Sequence, residues 1–213
     1  MESKKHISMS VIKRLPRYYR FLGSLKNKNI ERISSLELSR QMGLTASQIR
    51  QDLNCFGGFG QQGYGYNVSL LHEEIGSILG VNKQNKTILI GAGNLGQAIA
   101  RHMSFEMRGF NVIGIFDSDD ALLNSEIRNL HVQSTKNLEK FCKDNSPIVA
   151  VLCVPNTKET EELIDSLVNL GVKAFWNFTH IDIKAKYPNV CVENVHLSDS
   201  LMTLCYQVNF MNK

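Results

Sequence analysis

Residues 86–96, KTILIGAGNLG, constrain this chain more than any other stretch. A short β-branched and aliphatic run, residues 87–90, breaks directly into Gly91-Ala92-Gly93-Asn94-Leu95-Gly96, which reads as strand, tight turn and helix start. Gly91 permits the turn, Gly93 lets a pyrophosphate approach the backbone, and Gly96 lets the helix pack closely on the strand. The free N–H groups of that helix start, where Asn94 and Leu95 stand, then face an anion. A Gly-x-Gly-x-x-Gly triplet also occurs in glycine-tight corners that bind no nucleotide, so the flanking sequence decides. A helical pattern (Ala98, Ile99, Met103) follows, and a second buried strand over residues 112–116 ends in Asp117, 21 residues after Gly96. An acid at roughly 20 residues from the glycines reaches the adenosine ribose hydroxyls and repels a 2′-phosphate, so the expected cofactor is NAD(H) rather than its phosphorylated relative.

The alternation continues beyond that unit. Strands are expected over 86–91, 111–116, 148–154, 172–178 and 189–195, with helices over 95–104, near 136–143 and over 157–170, a pattern that predicts a Rossmann-type, doubly wound parallel sheet. Cys153-Val154-Pro155-Asn156 ends a strand on the carboxyl edge, where open α/β sheets bind ligands. Val154 and Pro155 therefore join Gly91, Gly93, Asn94, Leu95, Gly96 and Asp117 as candidate cofactor-binding residues. Residues 197–210 form a terminal helix with an apolar stripe of Leu197, Leu201, Leu204, Cys205 and Val208. Such a helix must be covered, by its own domain or by a partner chain.

At 213 residues the chain is long for one ordinary domain and suits two. The boundaries expected are 1–80 for an α/β chain's winged-helix DNA-binding domain, 81–196 for the NAD(H)-binding domain and 197–213 for the C-terminal helix. Residues 1–66 carry eleven Lys and Arg against four acids, whereas the remainder is net negative within an overall charge of +4. A basic head on a mildly acidic body suits a polyanion, most commonly nucleic acid, although a solvated basic surface has the same composition.

Within the head, residues 10–25 read as a first helix, with Val11, Leu15, Tyr18, Tyr19 and Leu22 at helical spacing and Pro16 near its start. Residues 33–38 place serines before an acid and aliphatic residues, the mark of a capped helix of about eight residues that stops at Gly43. Ala46–Asn54, with Thr45 as N-cap, is a third helix. Two short helices around a glycine-containing turn form a helix-turn-helix, whose second helix enters the major groove. There Ile49 and Leu53 face the core, leaving Ser47, Gln48, Arg50, Gln51 and Asn54 outward. Arg pairs with guanine and Gln with adenine, each for about 1–3 kcal/mol of discrimination. Residues 56–66 alternate aromatics and glycines and read as a hairpin wing with Gln61 and Gln62 at its tip; a glycine-rich linker is the alternative. Val68–Leu79 is a connecting helix, and residues 80–85 link to the second domain.

No apolar run approaches the ~18 residues of a membrane span, and the N-terminus lacks the apolar core of a secretion signal, so a cytoplasmic chain without membrane partners is expected. Five cysteines, widely spaced and without a Cys-x-x-Cys pair, argue against both a disulfide framework and a zinc ribbon, and no metal site is expected. Cys153 reads as a small core residue before it reads as a reactive thiol.

Taken together, KRLPRYYRFL, ISSLELSRQMGLTASQIRQDL, FGGFGQQGYGYNV, ILIGAGNLGQAIA, IFDSD, VLCVP, WNF and NVHLSDSLMTLCY, in that order, resemble the Rex family of bacterial redox-sensing transcriptional repressors. The resemblance implies a homodimer that exchanges its C-terminal helices. It also implies a winged-helix head on a double-stranded DNA operator upstream of fermentative and anaerobic-respiratory genes. NADH would weaken DNA binding by closing the dimer, and NAD+ would permit it. Arg14, Ser47, Gln48, Arg50, Gln51, Gln61 and Gln62 are the DNA-binding candidates. The family's domain-linking switch joins an arginine, matching Arg14, to a tyrosine and an aspartate, whose places are taken here by His102 and His196. His180 replaces the proline of an Asn-Phe-Ala-Pro run at the nicotinamide end, and Gln51, Gln61 and Gln62 replace basic residues. These departures leave open a regulator whose NAD(H) sensing is lost or altered. An NAD-dependent dehydrogenase with a basic appendage, using His180 or His196 as proton donor, is a third reading. It lacks a separate substrate domain and an evident His–acid pair.

Overall fold

A computed structural model of the chain describes residues 7–57, 60–61 (backbone only) and 64–211. The expected wing-tip residue Gln62 and the side chain of Gln61 lie outside the described residues. The chain divides into two compact units, Met1–Asn82 and Lys83–Lys213.

In the first unit, α1 (Met9–Asn27) buries Val11, Leu15, Tyr18, Leu22 and Leu25 on one helical stripe. Pro16 lies well inside this helix rather than near its start, so the carbonyl of Ile12 loses its helical donor. β1 (Arg32–Ile33) follows, a strand too short to show a period in the sequence. α2 (Ser35–Met42) opens on a complete capping box, in which Ser34 accepts from the Glu37 amide and Glu37 from the Ser34 amide, and stops at Gly43 with φ +61°. α3 (Ala46–Asn54) begins at Thr45, whose hydroxyl accepts from the Gln48 amide. β2 (Gly60–Gln61) and β3 (Gly65–Asn67) make the wing, and β1 completes it as a third antiparallel strand in the order β1-β3-β2. Gly65 sits at φ +71° against the Ile33 carbonyl, which is how β1 reaches the wing so closely. α4 (Val68–Leu79), capped by Asn67, packs on α1. Leu15, Tyr18, Leu22, Leu38, Ile49 and Leu53 form the shared core, each buried apolar side chain contributing about 1.5–3 kcal/mol.

The second unit runs β4 (Asn85–Ile90), α5 (Asn94–His102), β5 (Phe110–Asp117), β6 (Glu126–Ile127), β7 (Leu130–Ser134), α6 (Leu138–Asn145), β8 (Val149–Leu152), α7 (Lys158–Asn169), β9 (Ala174–Asn177), α8 (Ile183–Lys186), β10 (Cys191–Asn194) and α9 (Leu197–Met211). Its sheet has the order β10-β9-β8-β4-β5-β7-β6. The expected all-parallel sheet is corrected at one edge, where β6 runs antiparallel to β7. Their two-residue turn holds Arg128 and Asn129 at φ 55° and 62°, without the Asn-Gly pair that flags such hairpins. Along β4 the pleat sends Ile88 and Ile90 into the core with α6 and α7, and Leu89 into the core with α5. The chain fills one side of β4 with β5 and β7 before crossing to β8 on the other. The crevice where such an order reverses lies at the carboxyl ends of β4 and β8.

α9 is exposed along its described length, with Leu201 at 66%, Tyr206 at 64% and Phe210 at 54%. Its own unit therefore does not cover the apolar stripe.

Candidate functional site

At the reversal point β4 runs into the glycine turn. The Gly91 amide donates to the Phe116 carbonyl (2.8 Å), tying the turn to the end of β5. Gly91 has φ +98°, and a Cβ there would collide with the Cys153 carbonyl. A Cβ on Gly96 would overlap the carbonyl oxygen of Gly91 and crowd Leu89. These two glycines answer to the fold. Gly93 differs, because a Cβ there would meet nothing within 4 Å, and its backbone (φ −68°, ψ −172°) asks for no glycine. Open space thus stands in front of Gly93 at the N-cap of α5. No side chain caps that helix, so the first-turn amides beside exposed Asn94 and Leu95 point toward any incoming anion.

Asp117, at the end of β5, closes the other side. Its Oδ2 accepts from the Ala92 amide (2.5 Å) and its Oδ1 from the Asp119 amide (2.9 Å). The carboxylate is held beside the turn, half-buried. Val154 lines the same corner within reach of Gly91, and Pro155 stands exposed beyond it. An open backbone at Gly93, an uncapped helix start and a fixed carboxylate together fit an extended dinucleotide. The neighbouring Cys153 thiol is pushed up to about 12 by burial, which keeps it neutral and agrees with a core role.

Further along the carboxyl edge, buried Asn177 donates to the Ile181 carbonyl and to Asn194 Oδ1, and accepts from the Thr179 amide and hydroxyl. This network sets the loop carrying His180, whose amide donates to Asn156 Oδ1 (2.8 Å). The His180 and His196 rings lie 4.8 Å apart at 38°. His196 Nδ1 is 3.6 Å from Asp199 Oδ2, a His–acid pair that the sequence did not make evident. His102 stands apart from these in its contacts, exposed at the last position of α5. Among the described residues no group of three His, Cys, Asp or Glu side chains could hold a metal ion.

In the head, α3 presents Ser47, Arg50, Gln51 and Asn54 to solvent, with Gln48 half-buried. Arg50 donates to Ser35 Oγ on α2 (3.0 Å), which steadies its guanidinium on the outer face. Arg14, a candidate both for DNA contact and for the domain-linking switch, donates from Nε and Nη2 to Asp52, at 2.7 Å each, with about a quarter of its side chain exposed. Tyr18 adds a third bond to Asp52 (3.0 Å), and burial followed by the Asp52 charge pushes its phenol well above the ordinary tyrosine range. Asp52 is the functional candidate that sequence reasoning missed. Its signal was its place between Ile49 and Leu53 on the buried side of α3.

Residues 6–54 match a family described as the N-terminus of a putative DNA-binding protein, and residues 82–181 match the CoA binding domain family. The redox-sensing transcriptional repressor Rex of Clostridium perfringens is 51% identical over 98% of this chain and 98% of its own. That of Caldanaerobacter subterraneus is 53% identical over 98% of this chain and 92% of its own. A crystal structure of RSP in complex with beta-NAD+ and operator DNA superposes with a TM-score of 0.88 at 52% identity, covering 97% of this chain and 94% of that one. RSP in complex with beta-NADH gives 0.88 at 48% identity, over 98% of this chain and 97% of that one.

Proposed function

The chain belongs to the Rex family of redox-sensing transcriptional repressors, and we propose that it is itself an NADH-responsive repressor of fermentative and anaerobic metabolism genes. The observation that carries this reading is the combination, in one chain, of an outward-facing α3 with a glycine turn left open at Gly93 and closed by Asp117. NAD(H) would lie with its pyrophosphate against Gly93 and the start of α5, and with its adenosine ribose on Asp117. The bound dinucleotide supplies a nicotinamide ring whose charge differs by one between its oxidised and reduced forms. The protein's task is to convert that difference into DNA affinity. A coupling of about 1–3 kcal/mol changes operator affinity roughly 5–150-fold, and by linkage the operator weakens NADH to the same extent.

On the DNA side, Arg50 and Gln51 serve base edges, while Ser47 and Gln48 serve phosphates at the start of α3. The uncovered apolar face of α9 supports a homodimer joined through that helix. His180 and His196, whose rings touch, are read as one unit at the nicotinamide end, with His102 as a separate interface position. A cytoplasmic location follows from the DNA target, and no described helix is long and apolar enough to cross a membrane. Catalysis forms no part of the reading, because the relatives are repressors.

Two measurements test this function. Calorimetric titration with NADH, NAD+ and NADPH is expected to show saturable binding of the first two and weak binding of the third. Selection from random duplexes is expected to enrich a two-fold symmetric sequence, as a dimer requires. Absence of both NADH binding and sequence enrichment overturns the proposal.

A further inference from the structure

We propose that Asp52 is a positioning residue for DNA recognition, holding the roll of α3 about its own axis through a fork to Arg14 and a third bond to Tyr18. The inference rests on the reading of α3 as a DNA-recognition helix. Asp52 stands next to Gln51 and two residues after Arg50, but its side chain is only 3% exposed. Both carboxylate oxygens are occupied, Oδ1 by Arg14 Nη2, and Oδ2 by Arg14 Nε and the Tyr18 hydroxyl. Arg14 and Tyr18 are four residues apart on α1, one turn of a helix.

The apolar contacts of α3 cannot do this work alone. Ile49 and Leu53 bury the helix, but the force that buries them has no direction. A helix with side chains has a radius of roughly 5–6 Å, so a roll of about 10° carries an outward tip about 1 Å sideways. Bidentate base contacts do not survive such an error, because hydrogen bonds weaken steeply with distance and angle. A two-bond guanidinium–carboxylate fork is directional and resists that roll.

Stability does not explain the pair either. Replacing a buried ion pair by well-packed apolar groups is often neutral or stabilising. A charged residue placed in the core of a small head, between two residues that face the same way, therefore points to geometry as its purpose. The same bonds spend two of the Arg14 N–H groups inside the head, on the opposite side of α3 from Arg50.

The test uses the full-length protein and three variants: Arg14→Met combined with Asp52→Leu, which replaces the ion pair by apolar side chains of similar total volume, Arg14→Lys, which keeps the charge but not the fork, and Arg50→Ala as a reference for a direct contact. Each is titrated by fluorescence anisotropy with an operator recovered by selection and with a scrambled duplex, over a series of salt concentrations. Thermal melting is followed in parallel. The double variant is expected to fold but to melt below wild type, because the buried Tyr18 hydroxyl loses its acceptor, and to keep the wild-type salt slope, while its operator-to-scrambled affinity ratio falls at least tenfold. Arg14→Lys is expected to lose discrimination to an intermediate degree. An unchanged ratio in a folded double variant overturns the proposal and leaves the pair a purely structural one. A salt slope reduced by about one with the ratio unchanged also overturns it, because Arg14 is then a phosphate contact. Should the double variant fail to fold, Arg14→Lys decides, and wild-type discrimination in that variant rejects the fork. If wild type itself does not distinguish operator from scrambled duplex, the DNA-recognition reading fails first, and the inference falls with it.

Discussion

Replacing Gly93 by alanine separates the ligand from the fold. The added methyl meets nothing within 4 Å, and φ −68° with ψ −172° suits alanine as well as glycine. Two small effects on stability oppose each other. Alanine restricts the unfolded chain, worth about 0.4–1 kcal/mol in favour of the fold. It is also a poorer N-cap than glycine, at a cost of about 0.5–1.5 kcal/mol. Their difference stays within about 1 kcal/mol, a few degrees in the melting temperature of the ligand-free protein. The methyl does fill the space through which a pyrophosphate reaches the backbone amides of α5. Losing one charge-assisted hydrogen bond costs about 1.5–3 kcal/mol, so NADH affinity is expected to fall roughly 10- to 100-fold. Gly96→Ala is the control: its methyl overlaps the Gly91 carbonyl, and the variant is expected to melt well below wild type even without ligand. Calorimetry with NADH and melting without it give both quantities. Wild-type NADH affinity in Gly93→Ala would refute the placement of the pyrophosphate. A loss of stability equal to that of Gly96→Ala would refute the openness of the turn.

Asp117→Ala is expected to lower NAD(H) affinity and to narrow its preference over NADPH, because the carboxylate that faces the ribose is removed. The variant also releases the Ala92 amide, so a modest loss of melting temperature accompanies it. Arg50→Ala is expected to weaken operator binding by up to about 3 kcal/mol, and unchanged anisotropy titrations would remove Arg50 from the interface. In the head, His72 stacks on Tyr19 with centroids 4.1 Å apart, and burial, then the nearby Lys26 charge, lower its pKa. The unfolded state then binds the proton more readily. Stability of the head is therefore full above the ordinary histidine pKa of about 6.5 and falls with acidification until the lowered folded value is passed. Melting of wild type and His72→Gln between pH 7.5 and 5 reads this, and the variant is expected to lose that part of the slope.

Much of this molecule was legible because each signal lay within one element. The glycines and Asp117 declare themselves by spacing along β4, α5 and β5. Helices α2 and α3 declare themselves by Ser34, Glu37 and Thr45, which cap them as expected. What escaped depends on contacts distant in sequence or on very short elements. β1 and β6 have two residues each and α8 has four, too few to show a period. His180 and His196 meet because β9 and β10 pair in parallel with Asn177 opposite Asn194, a register no single segment reveals. Arg14 reads in the sequence as one more cation on a basic helix, because its partner Asp52 lies 38 residues away. Proline favours the first turn of a helix, yet tertiary packing of α1 against α4 carries the helix through Pro16.

Coupling between the two units is the most direct test of the reading as a redox sensor. Fluorescence anisotropy of a labelled operator bound to the full-length protein, titrated separately with NADH and with NAD+, measures that coupling. NADH is expected to release the DNA at concentrations that saturate the calorimetric site, with a shift of at least fivefold in operator affinity, while NAD+ leaves the complex in place. Equal responses to the two forms, or operator affinity unmoved by saturating NADH, would contradict it.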